Sequence, residues 1–275
     1  MNRPARKSIL CPNCRKIIST DESRCPHCGI ATPGARWKNS LLTRGWGSGD
    51  QLVRIIIFTN VGMYLFSLLL SAGGGAPMFR LSPSDEAFKV LGATGAVMIP
   101  AFGWWTLISA NFLHGSVIHI FFNMFAFFQI APLITRLFGP YRFFVIFFVG
   151  GVGGFLATYV AGTPVTVGAS AALCGLIGAA VFYGKDRGGL FGQTIYKQIG
   201  GWAIGILVFG FLVPRVDNWA HIGGMIFGAL TALVMGYNEK KRESLVHRTV
   251  AGACMIITVL TLGLSLLRGL IFLVR

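Results

Sequence analysis

The sequence predicts an all-α polytopic membrane protein: a core of six helices, a seventh C-terminal transmembrane helix, and a small N-terminal zinc ribbon. Three observations predict it. The 275 residues are 54% hydrophobic and only 12% charged. Their apolar residues lie in long runs instead of amphipathic stripes, which is the composition of a bilayer-spanning chain. Four of the six cysteines form two Cys-x-x-Cys pairs near the N-terminus, while Cys174 and Cys254 stand alone in apolar segments, so no secreted disulfide framework is expected. The formal net charge of +15 does not call for a nucleic-acid partner. In a multi-span chain Lys and Arg gather in cytoplasmic loops and raise the pI without any polyanion.

Residues 1–10 are a short basic lead, unlike a signal peptide. Residues 1–30 then read as a zinc-ribbon module: Cys11-Pro12-Asn13-Cys14, ten residues, and Cys25-Pro26-His27-Cys28, two knuckles joined by a short hairpin. Four thiolates complete a tetrahedral zinc shell and leave no open position. The site is therefore structural, and supplies folding energy that so small a segment lacks. His27 is a bystander beside a full shell, and the module as a whole reads as a stabilising cap or a contact for a cytosolic partner. Residues 31–51 are rich in Gly, polar and basic residues and read as a linker.

From 52 to about 72 the chain is almost wholly apolar and long enough to span. Residues 73–110 break that pattern with Gly and Pro, mixed charge and Trp104-Trp105, and are expected to lie partly in the membrane interface, where an indole is at home. Five further runs, about 112–134, 141–161, 168–184, 195–213 and 217–237, complete a core over 52–237; short turns make sequential helices antiparallel neighbours. The fourth run is short and rich in small residues, which suggests a helix packed inside the bundle. Residues 238–275 supply a charged loop and the seventh span, about 250–272.

Lys and Arg concentrate on the side that holds the N-terminus, Arg136, Arg142, Lys185, Arg187, Lys197 and the 240–248 loop, against Arg80, Lys89, Arg215, Arg268 and Arg275 on the other. The imbalance places the N-terminus in the cytoplasm and the C-terminus outside, in a cell membrane.

In that topology the second, fourth and sixth spans run in one direction and each carries a polar residue shortly after its start: His119, Ser170 and His221. At 1.5 Å per residue each lies within about 10 Å of its outer helix end. Matched depth on three parallel helices points to a shared polar cavity, and Asn123, four residues after His119, projects from the same helix face. The chemistry this permits is nucleophilic catalysis. Ser170 attacks, His221 takes its proton, and the oxyanion is met by Asn123, His119 and the Ser170 N–H. No acid in the spans completes a triad, so the pair is a dyad that needs no catalytic cofactor. Asp217, one turn before His221, is expected at the water interface. His114 reads as a loop-end histidine with a structural hydrogen bond. A proton-relay transporter is the weaker reading, because the charges within the runs, Arg54, Arg142, Lys197, Asp217 and Arg268, all lie near run ends and none crosses the bilayer.

These residues resemble the rhomboid family of intramembrane serine proteases. The matching pieces are Phe112-Leu113-His114 followed by His119 and Asn123-Met124, Gly168-Ala169-Ser170 with Gly175 and Gly178, and Ala220-His221 with Gly224 and Gly228. Arg142-Phe143 and the glycines of 150–154 are similar to the family's third span, and the extra span is similar to its six-plus-one forms. The resemblance implies a Ser170–His221 dyad with oxyanion contacts from His119 and Asn123, acting near the outer face on single-span membrane proteins in the lipid bilayer. Its alternative is an inactive relative that binds membrane clients, which would have lost the serine or the histidine. Four positions depart from the family pattern. Ala171 follows the serine in place of Gly, and Cys174 replaces an aromatic that packs on the histidine. Thr106 follows Trp105 where Arg is expected, and Thr135 replaces an acid in the second-to-third turn.

Overall fold

The computed structural model describes residues 8–11, 16–27, 29, 31–34, 49–73 and 81–274. The chain divides into two units, Met1–Ser48 and Gly49–Arg275.

In the first unit β1 (Ser8–Leu10) pairs antiparallel with β2 (Ile17–Ser19), Ile9 opposite Ile18. These strands flank the first cysteine pair; the expected hairpin lay between the two pairs. Cys11 and Cys25 are buried and pack with Ile18 in one small cluster. Two thiols brought together in so small a core fit a thiolate zinc site. Cys14 and Cys28 lie outside the described residues, and among the described ones no group of three or more potential ligands is assembled.

Among the described residues of the second unit seven helices are 18 residues or longer: α1 (Gly49–Gly73), α5 (Val117–Phe138), α6 (Pro140–Val160), α7 (Ser170–Arg187), α8 (Gly189–Leu212), α9 (Asn218–Met235) and α10 (Leu245–Val274). All but α7 are long and apolar enough to cross a membrane. α7 instead buries most of its small side chains, Ala171 to Ala180, inside the bundle, because a glycine- and alanine-rich helix gains more from close backbone contact than from facing lipid. Each expected apolar run overlaps one of these helices. The second starts later than expected, since Ala110–Phe112 form a 3₁₀ turn and α5 begins only after Ser116, whose Oγ accepts the His119 N–H at 3.2 Å.

Residues 81–112 are not a plain loop. They form α2 (Asp85–Leu91), α3 (Met98–Phe102) and α4 (Thr106–Ser109) before the 3₁₀ turn. This segment is joined to the α6–α7 connection by backbone hydrogen bonds: Thr94 and Thr166 exchange a pair, and Ala96 N–H donates to the Thr163 carbonyl at 2.8 Å.

α6, α7 and α9 form the tightest part of the bundle, and glycines are the reason. A Cβ at Gly224 would strike the Ala171 carbonyl oxygen, one at Gly228 the Gly175 carbonyl oxygen, and one at Gly150 would come 2.7 Å from Gly175 Cα. The pairs 224/171 and 228/175 keep one offset, so α7 and α9 run parallel in contact, with α6 antiparallel and packed against both.

Arg142, counted above among loop cations, is fully buried. Its guanidinium donates to the Phe138 carbonyl (3.2 Å), Asn238 Oδ1 (3.3 Å) and the Lys241 carbonyl (2.6 Å). Beside it Glu243 Oε1 accepts the Tyr141 and Arg142 N–H groups at 2.8 and 2.9 Å, capping α6 from a hundred residues away. A charge this deep is costly unless its donors are satisfied; Nη1 and Nη2 are, while Nε has no partner among the described residues.

Candidate active site

Ser170 is the first residue of α7, entered through Gly168 at φ +134°, a conformation that favours glycine. That position has two consequences. The hydroxyl stands at the mouth of the bundle, half-buried, and not along the helix wall. The first N–H groups of α7 have no acceptor within their own helix and concentrate positive potential where an anion would form.

His119 meets Ser170 across Gly168. A Cβ built on Gly168 would lie 2.8 Å from both Cε1 and Nε2 of His119 and 3.6 Å from Ser170 Oγ, so imidazole and hydroxyl border the same point. Gly115 N–H donates to His119 Nδ1 at 3.3 Å. With Nδ1 accepting, the neutral ring carries its proton on Nε2, the edge turned to Ser170. Asn123 is buried one turn further along, with Nδ2 donating to the His119 carbonyl at 3.0 Å. Its second amide hydrogen remains for other use.

His221 is buried on α9, and its Nδ1 has no partner among the described residues. One turn back from the Gly224–Ala171 contact, the parallel register of α7 and α9 brings His221 level with the start of α7. Ser170 Oγ and His221 make no hydrogen bond in this geometry. The structure thus gathers Ser170, His119 and His221 at one level on three helices, with Asn123 one turn away. Cys11 and Cys25 belong to the separate N-terminal unit.

Two residues differ from expectation. His114 makes no structural hydrogen bond: it is fully buried, both ring nitrogens lack partners among the described residues, and it packs edge-on against His119 at 5.1 Å between centroids. Asp217 is not simply an interfacial acid. Oδ1 accepts from Trp219 and Ala220 N–H at 3.1 and 3.2 Å, capping α9, and Oδ2 accepts from the buried Thr158 hydroxyl at 2.7 Å. An acid immediately before an apolar run was the available signal for this cap; its tie to α6 was not readable, because nothing in the sequence pairs residues 158 and 217.

A multi-pass helical membrane protein with a serine at a buried helix start and two histidines at its level is the class this geometry defines. A model described as the Rhomboid domain matches residues 101–238. The chain is 31% identical over 180 residues to Rhomboid protease GluP of Bacillus subtilis, covering 66% of this chain and 34% of that protein. It is 31% identical over 141 residues to the Putative rhomboid protease YdcA of the same organism, covering 50% and 71%. It is 26% identical over 215 residues to Rhomboid-like protease 3 of Toxoplasma gondii, covering 76% and 73%. The chain belongs to the rhomboid family. It spans about a third of the length of GluP.

Proposed function

We propose that this chain is an intramembrane serine endopeptidase that cleaves transmembrane segments of single-span proteins near the outer face of a cell membrane. The observation that carries this reading is the convergence on Gly168: a serine at a helix start, a histidine Nε2–H against it, and a second histidine level with it on the adjoining parallel helix. Proteases among the relatives agree with it in class.

Ser170 Oγ attacks the scissile carbonyl as His221 takes its proton; the C–N bond then breaks and His221 returns that proton to the leaving amine. Water, activated in the same way, releases the acyl group. Negative charge on the carbonyl oxygen is met by His119 Nε2–H, the N–H at the start of α7 and the free hydrogen of Asn123. In a dry site such preorganised donors act far more strongly than in water. The serine and base come within hydrogen-bond reach once substrate fills the site, since catalytic contacts in a free enzyme are commonly loose.

Orientation with the N-terminus in the cytoplasm and the C-terminus outside follows from the distribution of Lys and Arg, with α10 as a seventh span. Cys11, Cys14, Cys25 and Cys28 hold one structural zinc on the cytosolic side, where the ribbon can meet a cytosolic partner; zinc supplies folding energy there and no catalytic step.

A fluorophosphonate label tests the assignment. Wild type should be labelled and cleave a single-span client, whereas Ser170→Ala loses both and His221→Ala loses cleavage, with each variant inserting normally. Unchanged turnover in either variant overturns the dyad. An unlabelled, inactive wild type that still retains clients would favour the inactive client-binding reading.

A further inference from the structure

We propose that α10 is a positioning element for the catalytic serine: Arg268 and Ser265 hold the α2–α4 segment, which in turn holds the loop that presents Ser170. The proposal rests on the serine-protease reading above.

Ser265 is fully buried in a mostly apolar helix. A hydroxyl in such a helix ordinarily bonds back to its own preceding turn, as Thr258 does to the Cys254 carbonyl at 2.8 Å. Ser265 instead donates out of its helix, to the Leu91 carbonyl at 2.7 Å. One turn on, Arg268 Nε donates to the Val90 carbonyl at 3.2 Å. Val90 and Leu91 close α2, and a helix end leaves its last carbonyls without intrahelical donors. α10 supplies both donors, and a cation at that end also suits the helix dipole. The same guanidinium lies over the rings of Trp105 (5.4 Å) and Phe102 (5.7 Å). Gly269 permits the approach on the other flank, where a Cβ would come 2.5 Å from Phe66 of α1. Arginine therefore does reach Trp105, from α10, although the position after that tryptophan is Thr106.

From Trp105 the path to the site is short. Trp105 packs on Gly92, and Ser109 Oγ donates to the Gly92 carbonyl at 2.7 Å. The Ala110 carbonyl, next in the chain, accepts the Gly168 N–H at 2.9 Å. The Thr94–Thr166 pair and the Ala96–Thr163 bond fasten the same two segments. Ser170 follows Gly168 by two residues. A shift of α2–α4 is thereby passed to the residue whose backbone sets the Ser170 hydroxyl against His119. Arg268 and Ser265 touch neither substrate nor nucleophile.

Cleavage kinetics and hydrogen–deuterium exchange on full-length wild type, Arg268→Gln, Arg268→Lys and Ser265→Ala test this. Arg268→Gln should lower kcat about tenfold with KM nearly unchanged, less than the roughly 10²-fold that a full ångström of misplacement can cost. Arg268→Lys, which keeps the charge but loses the planar stacking, should fall between. Exchange should rise in 85–112 and 163–169 and stay level in α6 and α9. Ser265→Ala, a loss of one hydroxyl, should repeat the pattern more weakly and decides the matter if Arg268→Gln fails to fold. Unchanged kcat, or exchange rising evenly through the whole bundle, overturns the proposal. If wild type itself neither cleaves nor labels, the protease reading has failed, and the regional exchange still decides whether α10 holds the serine loop.

Discussion

Gly168→Ala isolates the contact on which the site depends. The new methyl would lie 2.8 Å from His119 Cε1 and Nε2, well inside van der Waals contact, in a residue held at φ +134°. Strain of that backbone kind costs about 1–3 kcal/mol in stability. The clash acts differently: it moves the imidazole off the position where its Nε2–H would meet the oxyanion. Loss of one such donor costs about 10²–10³ in rate, or roughly 3–4 kcal/mol of transition-state stabilisation, and kcat should fall by that amount with little change in KM. His119→Ala should show a similar drop. In the double variant the ring that the methyl strikes is absent, so Gly168→Ala should cost far less kcat on the His119→Ala background than on wild type. Cleavage of a single-span client in detergent, with melting curves on the same preparations, gives all four corners of the cycle. Strictly additive losses, or wild-type kcat in Gly168→Ala, would refute the placement of His119 as an oxyanion donor.

Three further outcomes are expected. Asn123→Ala should slow cleavage by about 10² without abolishing it, since His119 and the Ser170 N–H remain; full activity with a lowered melting temperature would leave Asn123 as scaffold. Burial pushes the Glu243 carboxyl up, outweighing its two backbone donors and the Arg142 charge. A group raised in the folded state contributes stability below its unfolded value and loses it as pH rises toward the folded one. Wild type should therefore lose melting temperature relative to Glu243→Gln as pH climbs above the ordinary carboxylate range, and parallel curves would count against it. Metal analysis of the full chain should find one zinc per molecule, reduced in Cys11→Ser and Cys25→Ser, with cleavage by the membrane unit largely retained.

Much of the fold was legible because a bilayer imposes length and hydrophobicity on every span, so apolar runs alone marked the seven long helices and the inward position of α7. The shared depth of Ser170, His119 and His221 was legible for the same reason, since polar side chains in apolar runs stand out and helix rise converts sequence offset into depth. Tertiary structure decided which faces meet. Backbone contacts at glycines such as Gly150, Gly175, Gly224 and Gly228 place α6, α7 and α9 in register, and only the fold turns the His119 ring toward Gly168. The charged groups were the least legible. Arg142 looked like a loop cation and is buried, while Glu243 and Arg268 act on partners about a hundred or more residues away. Hydropathy reports what a residue costs in lipid; who satisfies it is a matter of three-dimensional neighbours, which a linear pattern does not encode.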